Sequence, residues 1–510
     1  MSASTTDSAR SGGRLLIYTL LNVAFTLLVL IGAGVSRAGD PRYLYLCVLF
    51  ALCSTLVFTL DAINGRYAML GCFLLVYFVF FGMQDLLAAL SGAPAVGRPG
   101  GPLTATEAVL LTGLLMLLIG YRRGVALGRR ISVGMAAKDW PESTVLLVGA
   151  VLFIAGTAAT WYLNVFVMPD KNVYAGHRLA QLDPKLTAVL LAGNLVLPVG
   201  IAVLAYAYAA FRRRIMLLVI FGVVAIQTVT GFVTDVKADA MKGALIVVLT
   251  KVLVDGRLPV GWLAGGVLFL AFGFPVLQAY RSEVIGQAGM NHIQVVQHLG
   301  RALEIAVSAT NRVMKSKGET REKNFIERAS MKSSVELTVE NSGRTSDYQY
   351  GRTLVPILGV FVPRLILPGK TDVQAGRVYG AELHASTFSD TYISPSHIGE
   401  MYWNFGVPGV VIGMLLLGLL LGFIGCKCDF SECVSVTRLL IFANTAHLLV
   451  WGFEATIATN YVVWMRTMAV VGVLYLLLSR VPARERAVRG AALTTERPVP
   501  EAVVFRNLLK

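Results

Sequence analysis

Apolar runs close to twenty residues long recur along the chain, separated by short polar stretches. A helix rises about 1.5 Å per residue, so each run is long enough to cross roughly 30 Å of hydrocarbon. The pattern predicts about twelve spans: 15–35, 43–60, 67–90, 103–120, 143–168, 186–209, 215–233, 238–254, 259–279, 405–425, 438–453 and 461–479. The first is longer than the apolar core of a signal peptide and reads as an uncleaved helix.

Basic residues fall in alternate connections. Arg122, Arg123, Arg129, Arg130 and Lys138 follow the fourth span, and Arg212, Arg213 and Arg214 follow the sixth. Lys251 and Arg257 flank the turn after the eighth, Lys427 and Arg438 bracket that after the tenth, and Arg480, Arg484, Arg486 and Arg489 follow the last. Loops rich in Lys and Arg stay inside, so both termini are expected in the cytoplasm. The predicted fold is an all-α polytopic membrane protein with one large outer loop between the ninth and tenth spans. It divides into a bundle over 1–279, the loop over 280–404, the last spans over 405–479 and a cytoplasmic tail over 480–510.

Composition supports this division. Of 510 residues, 55% are hydrophobic and only 15% are charged, against roughly 25% charged in an average soluble protein. Mean hydropathy is +0.67. The net charge of +15 is read as the inside bias plus anionic partners at the membrane surface, not as a nucleic-acid signal. There is no Walker A sequence, so this chain alone is not expected to run on ATP. Cys426, Cys428 and Cys433 lack zinc-type spacing and read as free thiols.

In the large loop, Ile293, Val296, Leu299, Leu303, Ala306, Thr310 and Val313 recur at helical spacing, which predicts an amphipathic helix over 293–313. Lys315 to Lys332 is charged without strong periodicity and reads as a solvated segment. Beyond Gly351, prolines 356, 363 and 368 break the chain into short pieces, punctuated by Arg352, Arg364, Lys370 and Arg377. Arginine offers a planar fork matched to phosphate oxygens. Arg281 closes the ninth span. Lys242 is expected in the first turn of the eighth, where free N–H groups favour anions. Arg178, beside His177, sits in an outer loop, and Glu454 at the outer end of the eleventh span is a further, weaker candidate.

The stretch Ser394-Pro-Ser-His-Ile-Gly-Glu400 leads into the tenth span. Ser396 is placed to cap a short helix. His397 and Glu400, three apart, share one face and form a candidate pair for taking a proton from a hydroxyl. Gly406, Pro408 and Gly409 predict a break in that helix. Gly409 with Gly413, and Gly418 with Gly422, are small residues four apart, suited to close helix packing.

The segments VPRLILPGK (362–370) and SPSHIGEMYWNFGVPGVVIG (394–413), with KGALI opening the eighth span and the arginine closing the ninth, resemble the oligosaccharide repeat unit polymerases, the O-antigen polymerase (Wzy-type) family. The layout of about twelve spans with one dominant outer loop is similar. Arg178, Arg281, Arg352, Arg364 and Arg377 lack the glycine eleven residues on that some members carry, so that motif is not carried over. The resemblance implies a location in the bacterial inner membrane and a substrate of undecaprenyl-pyrophosphate-linked oligosaccharide. It implies polymerisation by inverting transfer of the growing glycan on the periplasmic face, without cofactor or metal. On this reading Glu400 or His397 is catalytic, and Arg281, Arg364, Lys370, Arg377, Lys242 and Arg178 bind the donor. A chain-length regulator and a flippase are candidate partners. The alternatives are an O-antigen ligase, which shares donor and layout, and a lipid-linked oligosaccharide transporter. A transporter would carry charges along a path through the bilayer and internal repeats; no clear repeat relates the halves, and the charges gather at one face.

Overall fold

The computed structural model describes residues 3–33, 41–59, 65–90, 104–131, 140–167, 184–212, 214–233, 237–256, 292–298, 330–360, 375–383, 394–431 and 434–478, with single or paired positions between 261 and 311 and at 362. Within these the chain is helical, and the one β-bridge joins Ser342 to Ser346. Among the described residues nine helices are long and apolar enough to cross a membrane, or ten if the bent pair Ala68–Phe81 and Met83–Leu90 is one span. The chain is thus an all-α protein with multiple membrane-spanning helices. The ninth predicted span, 259–279, lies largely outside the described residues. The eighth is the helix Lys237–Asp255, which is not among the nine because charges interrupt it. The predicted span over 67–90 is bent by 53° where Gly82 separates its two halves.

Two helices form the spine. We label them α1 (Ala105–Arg130) and α2 (Ser396–Lys427). A Cβ on Gly120 or Gly124 would strike the carbonyls of Leu415 and Leu419 on α2. A Cβ on Gly418 or Gly422 would strike those of Leu117 and Tyr121 on α1. The glycines are therefore reciprocal and let the two backbones touch, as small residues do where lipid offers no hydrophobic gain for association. A second seam joins Glu142–Trp161 to Pro184–Phe211, with Gly156 against Leu197 and Gly200 against Phe153. The expected pairing at Gly418 and Gly422 is present. Gly409 and Gly413 serve differently, because both lie against Met401 of their own helix.

The start of α1 carries a capping box: Thr104 Oγ1 accepts from the Glu107 N–H, and Glu107 Oε2 accepts from the Thr104 N–H. The other oxygen of Glu107 receives Lys332 Nζ at 2.8 Å, and Lys332 also reaches Asp85 at 2.7 Å. The ammonium lies 4.8 Å from the Tyr45 ring centroid, a cation–π contact. This corrects the reading of Lys332 as solvated. It opens a helix, α3 (Lys332–Asn341), and plugs into the bundle because Asp85 and Glu107 lie in apolar surroundings and need a cation. Burial pulls the ammonium down, but Asp85 and Glu107 overcome this and hold Lys332 above the ordinary lysine range.

Two outcomes test this frame. Gly124→Leu is expected to cost roughly 3 kcal/mol through overpacking, while Gly222→Leu, whose Cβ meets nothing within 4 Å, leaves the thermal midpoint in detergent unchanged. Lys332→Met is expected to cost about 3–5 kcal/mol by stranding two carboxylates, and adding Asp85→Asn with Glu107→Gln recovers most of it. Lys332 stays charged to higher pH in the fold than in the unfolded chain. Its contribution is therefore complete below the ordinary value of 10.5 and is lost as pH rises through the higher folded value. Thermal melts above that pH should weaken the wild type more than the methionine variant.

Candidate functional site

The helix α2 does not run straight. Ser396 has φ of 66° and its hydroxyl accepts from the Gly399 N–H at 3.3 Å, which caps the first turn. At Gly406 the backbone turns sharply, with φ 63° and ψ −150°, and Pro408 follows. Met401 then lies against Gly409 and Gly413, so the short leg folds back along the membrane leg. Only glycine adopts the Gly406 conformation without strain. The predicted break is present, and it is a reversal.

This reversal buries the short leg. His397 and Glu400 are both 0% exposed. Glu400 Oε2 accepts from the Ile457 N–H at 2.5 Å. Ile457 opens the last helix, α4 (Ile457–Leu478), so the carboxylate sits at the positive end of a helix dipole. One turn along α4, Asn460 Nδ2 lies 3.2 Å from His397 Nε2 and also donates to the Gly452 carbonyl. The imidazole stands edge-on to Phe453, with ring centroids 4.8 Å apart. The Thr353 hydroxyl, which accepts from Asn404, also reaches the Glu400 carboxyl, while His397 Nδ1 has no hydrogen-bond partner among the described residues.

Asn404 ties the large loop to this leg. Its Nδ2 donates to Thr353 Oγ1 at 2.7 Å and to the Glu400 carbonyl at 2.8 Å, and its Oδ1 accepts from the Gly351 N–H at 2.8 Å. The Gln349 and Tyr350 N–H groups donate to the Trp403 and Asn404 carbonyls at 3.0 and 3.1 Å. The exposed Arg352 is therefore carried on a turn fixed over the short leg. A further loop helix, α5 (Ala375–Glu382), is pinned by Tyr379, whose hydroxyl donates to the Ser334 carbonyl at 2.7 Å and whose ring stands edge-on to Trp403 at 5.4 Å. Burial pushes the Tyr379 phenol up to about 12, with the Thr338 hydroxyl opposing. Gln349 donates to Glu382 at 2.6 Å. Three loop segments and the short leg thus form one cap at the end of the bundle that holds Asp85 and Glu107.

Of the predicted site residues, the structure brings Glu400 and His397 together against α4. Arg377 lies on α5, whose neighbours Tyr379 and Glu382 join it to the cap; its side chain lies outside the described residues, as do Arg178, Arg281, Arg364 and Lys370. Lys242 is half-buried. Its helix begins at Lys237, which corrects its placement in the first turn: it sits in the second, past the free N–H groups. Glu454 lies exposed at the end of the 3₁₀ turn Trp451–Glu454. The helix His292–Gln297 occupies the start of the predicted amphipathic stretch, and the rest is described only at scattered positions. Sequence reasoning missed Asn404, Asn460, Asp85 and Glu107. The two acids carried a usable signal, because a carboxylate within an apolar run requires a partner.

Among the described residues no group of three or more His, Cys, Asp and Glu is placed to hold a metal ion. Cys426 and Cys428 are free thiols, and Cys433 lies outside the described residues. No protein-family model, curated protein or solved structure matches the chain significantly.

Replacing Asn404 with Leu strips the partners from the Gly351 N–H and Thr353. Each such group is expected to cost about 1–3 kcal/mol. A protease acting on intact protein in nanodiscs should then cut within 342–352 faster than in the wild type.

Proposed function

We propose that this protein polymerises lipid-diphosphate-linked oligosaccharides at the outer face of a bacterial inner membrane. The observation that supports the reading best is the cap. Loop helices bearing predicted cations are tied to a folded-back leg bearing a buried carboxylate and imidazole, both oriented by the first turn of α4, with the loop's Thr353 hydroxyl also on the carboxyl. The resemblance of 362–370 and 394–413 to the repeat unit polymerases supplies the substrate: a glycan on undecaprenyl pyrophosphate.

In this mechanism an acceptor hydroxyl oxygen attacks the anomeric carbon of the donor. The bond from that carbon to the phosphate oxygen breaks, and the diphosphate leaves with the electron pair. Glu400 takes the acceptor's proton, and in-line displacement inverts the anomeric centre. Arg281, Arg364, Lys370 and Arg377, with Lys242 and Arg178, offset the charge that develops on the diphosphate; fixed cations at a low-dielectric boundary act more strongly than in water. Because Glu400 is 0% exposed, the acceptor reaches it only when the cap parts.

A second reading rests on the same burial. The bonds to Ile457 and Asn460 make the pair a pin between two helices, with no part in chemistry. Glu400→Gln separates the two. Glutamine keeps an acceptor for the Ile457 N–H but is no base. As a base, Glu400 predicts loss of the polymer ladder by about 10²-fold or more at equal protein level in a polymerase-deletion strain. As a pin, it predicts a full ladder from the glutamine variant and loss of folded protein only from Glu400→Ala.

A further inference from the structure

Residues 352–358 belong to the stretch read from the sequence as outer loop, yet they turn an apolar row outward. Gly351, with φ of 86°, leads the chain into a 3₁₀ turn, Arg352–Leu354, which passes into an α-helical turn, Val355–Leu358. Thr353 and Pro356 are buried, and Leu354 and Ile357 pack against the main core. Every third residue is left outside: Arg352, Val355 and Leu358. That is the spacing at which 3₁₀ side chains stack in one row. Val355 is 47% exposed and Leu358 85%. A lone exposed leucine on a protein surface is ordinary; this one is set apart by what it adjoins.

The row continues the outward face of a membrane span. A Cβ on Gly351 would come within 3.2 Å of the Phe405 ring, and Phe405 and Val407, on either side of the reversal, are exposed. From Pro408 the exposed positions of α2 follow in steps of four, at Ile412 and Leu416, which is one face of a helix. The turn Val355–Leu358 also packs on α4, another span. Apolar surface is therefore continuous from Leu416 through Phe405 to Leu358. At its edge stand Arg352 and Tyr350, the latter 74% exposed. Both residue types set an apolar body in the hydrocarbon boundary and a polar tip among head groups. We infer that the turn 352–358 is a foot seated in the bilayer interface, with Val355 and Leu358 among acyl chains and Arg352 and Tyr350 at head-group level. Beyond the span's own face the row offers two apolar side chains, far short of the roughly 800 Å² that each partner buries in a stable protein interface. Lipid is thus the occupant. The foot does not rest on the proposed transferase activity. It sets the short leg, which is bonded to residues 349–353, at the membrane boundary.

The test uses full-length protein in nanodiscs of phosphatidylglycerol and phosphatidylcholine, with the photoreactive residue p-benzoylphenylalanine placed at position 358 by amber suppression. The same residue at 412, on the outward face of α2, is the reference in lipid. At 344, where Arg344 is exposed and lies off the apolar row, it is the reference in water. After irradiation, intact mass spectrometry is expected to show position 358 gaining the mass of one phospholipid, at a yield close to that at 412 and well above that at 344. If the variant at 358 does not fold, position 355 serves, with the same adduct expected. A crosslink to a second copy, a crosslink to another segment of this chain, or a lipid yield no higher than at 344 overturns the inference. None of these outcomes bears on the polymer ladder of Glu400→Gln, so the foot and the transferase reading fail separately.

Discussion

A carboxylate within an apolar helical bundle must find charge or hydrogen-bond donors, and this constraint organises one end of the bundle. Glu107 spends one oxygen on the N-terminus of its own helix and the other on Lys332, a residue 225 positions away in sequence. Asp85 completes the group. A triad of this kind adds little net stability over a packed apolar substitute. Its effect is directional. Two acids in the bundle bind Lys332 and so fix where the start of α3 docks.

The glycine seam and the reversal at Gly406 are two halves of one arrangement. Backbone contact between α1 and α2 leaves no room for side chains along the membrane leg, so it is rigid and closely set. The chain then leaves the span at a residue that tolerates positive φ. A reversed backbone exposes N–H and C=O groups that lipid cannot satisfy. The loop supplies the partners: Gly351, Tyr350 and Gln349 bond to Asn404 and Trp403. The irregular leg and the large loop therefore stabilise each other, and neither is a separate unit.

Much of the scaffold could be read from the chain because it follows local rules. Span positions follow from apolar length, the Gly418–Gly422 seam from spacing, and the break at Gly406 from Gly and Pro chemistry. Ser396 capped where a cap was expected. The site was less legible because its contacts are distant in sequence. Nothing near Lys332 distinguishes it from Lys315 or Lys323 in the same charged stretch; its role is set by acids on other helices. Asn404 and Asn460 are single amides whose meaning depends on which backbone turns they face. The bend at Gly82 escaped because one glycine in an apolar run is common and uninformative. Lys242 was misplaced by about one turn because helix starts are the least local feature of a span, and its helix opens on Lys237 rather than at the apolar run.

The cap is not held equally on all sides, and this bears on how a buried carboxylate would meet anything. On the α3 side the attachment is ionic, and parting it strands charges at about 3–5 kcal/mol. On the side of residues 349–353 the attachment is a few hydrogen bonds, mostly neutral and each worth a net ~1 kcal/mol, with the Thr353 hydroxyl also on the Glu400 carboxyl. The turn bearing Arg352 is therefore the cheaper part to lift, and lifting it removes Thr353 and Gly351 from above the short leg while Lys332 still anchors the rest. Glu400 and His397 keep their bonds to α4 through such a motion, because those partners belong to the bundle and not to the loop. Lifting the turn also takes the Thr353 hydroxyl off the Glu400 carboxyl, while the Ile457 N–H and Asn460 keep the pair oriented. Preorganisation of a reacting pair requires a fixed orientation of this kind, and a structural pin between helices uses the same bonds.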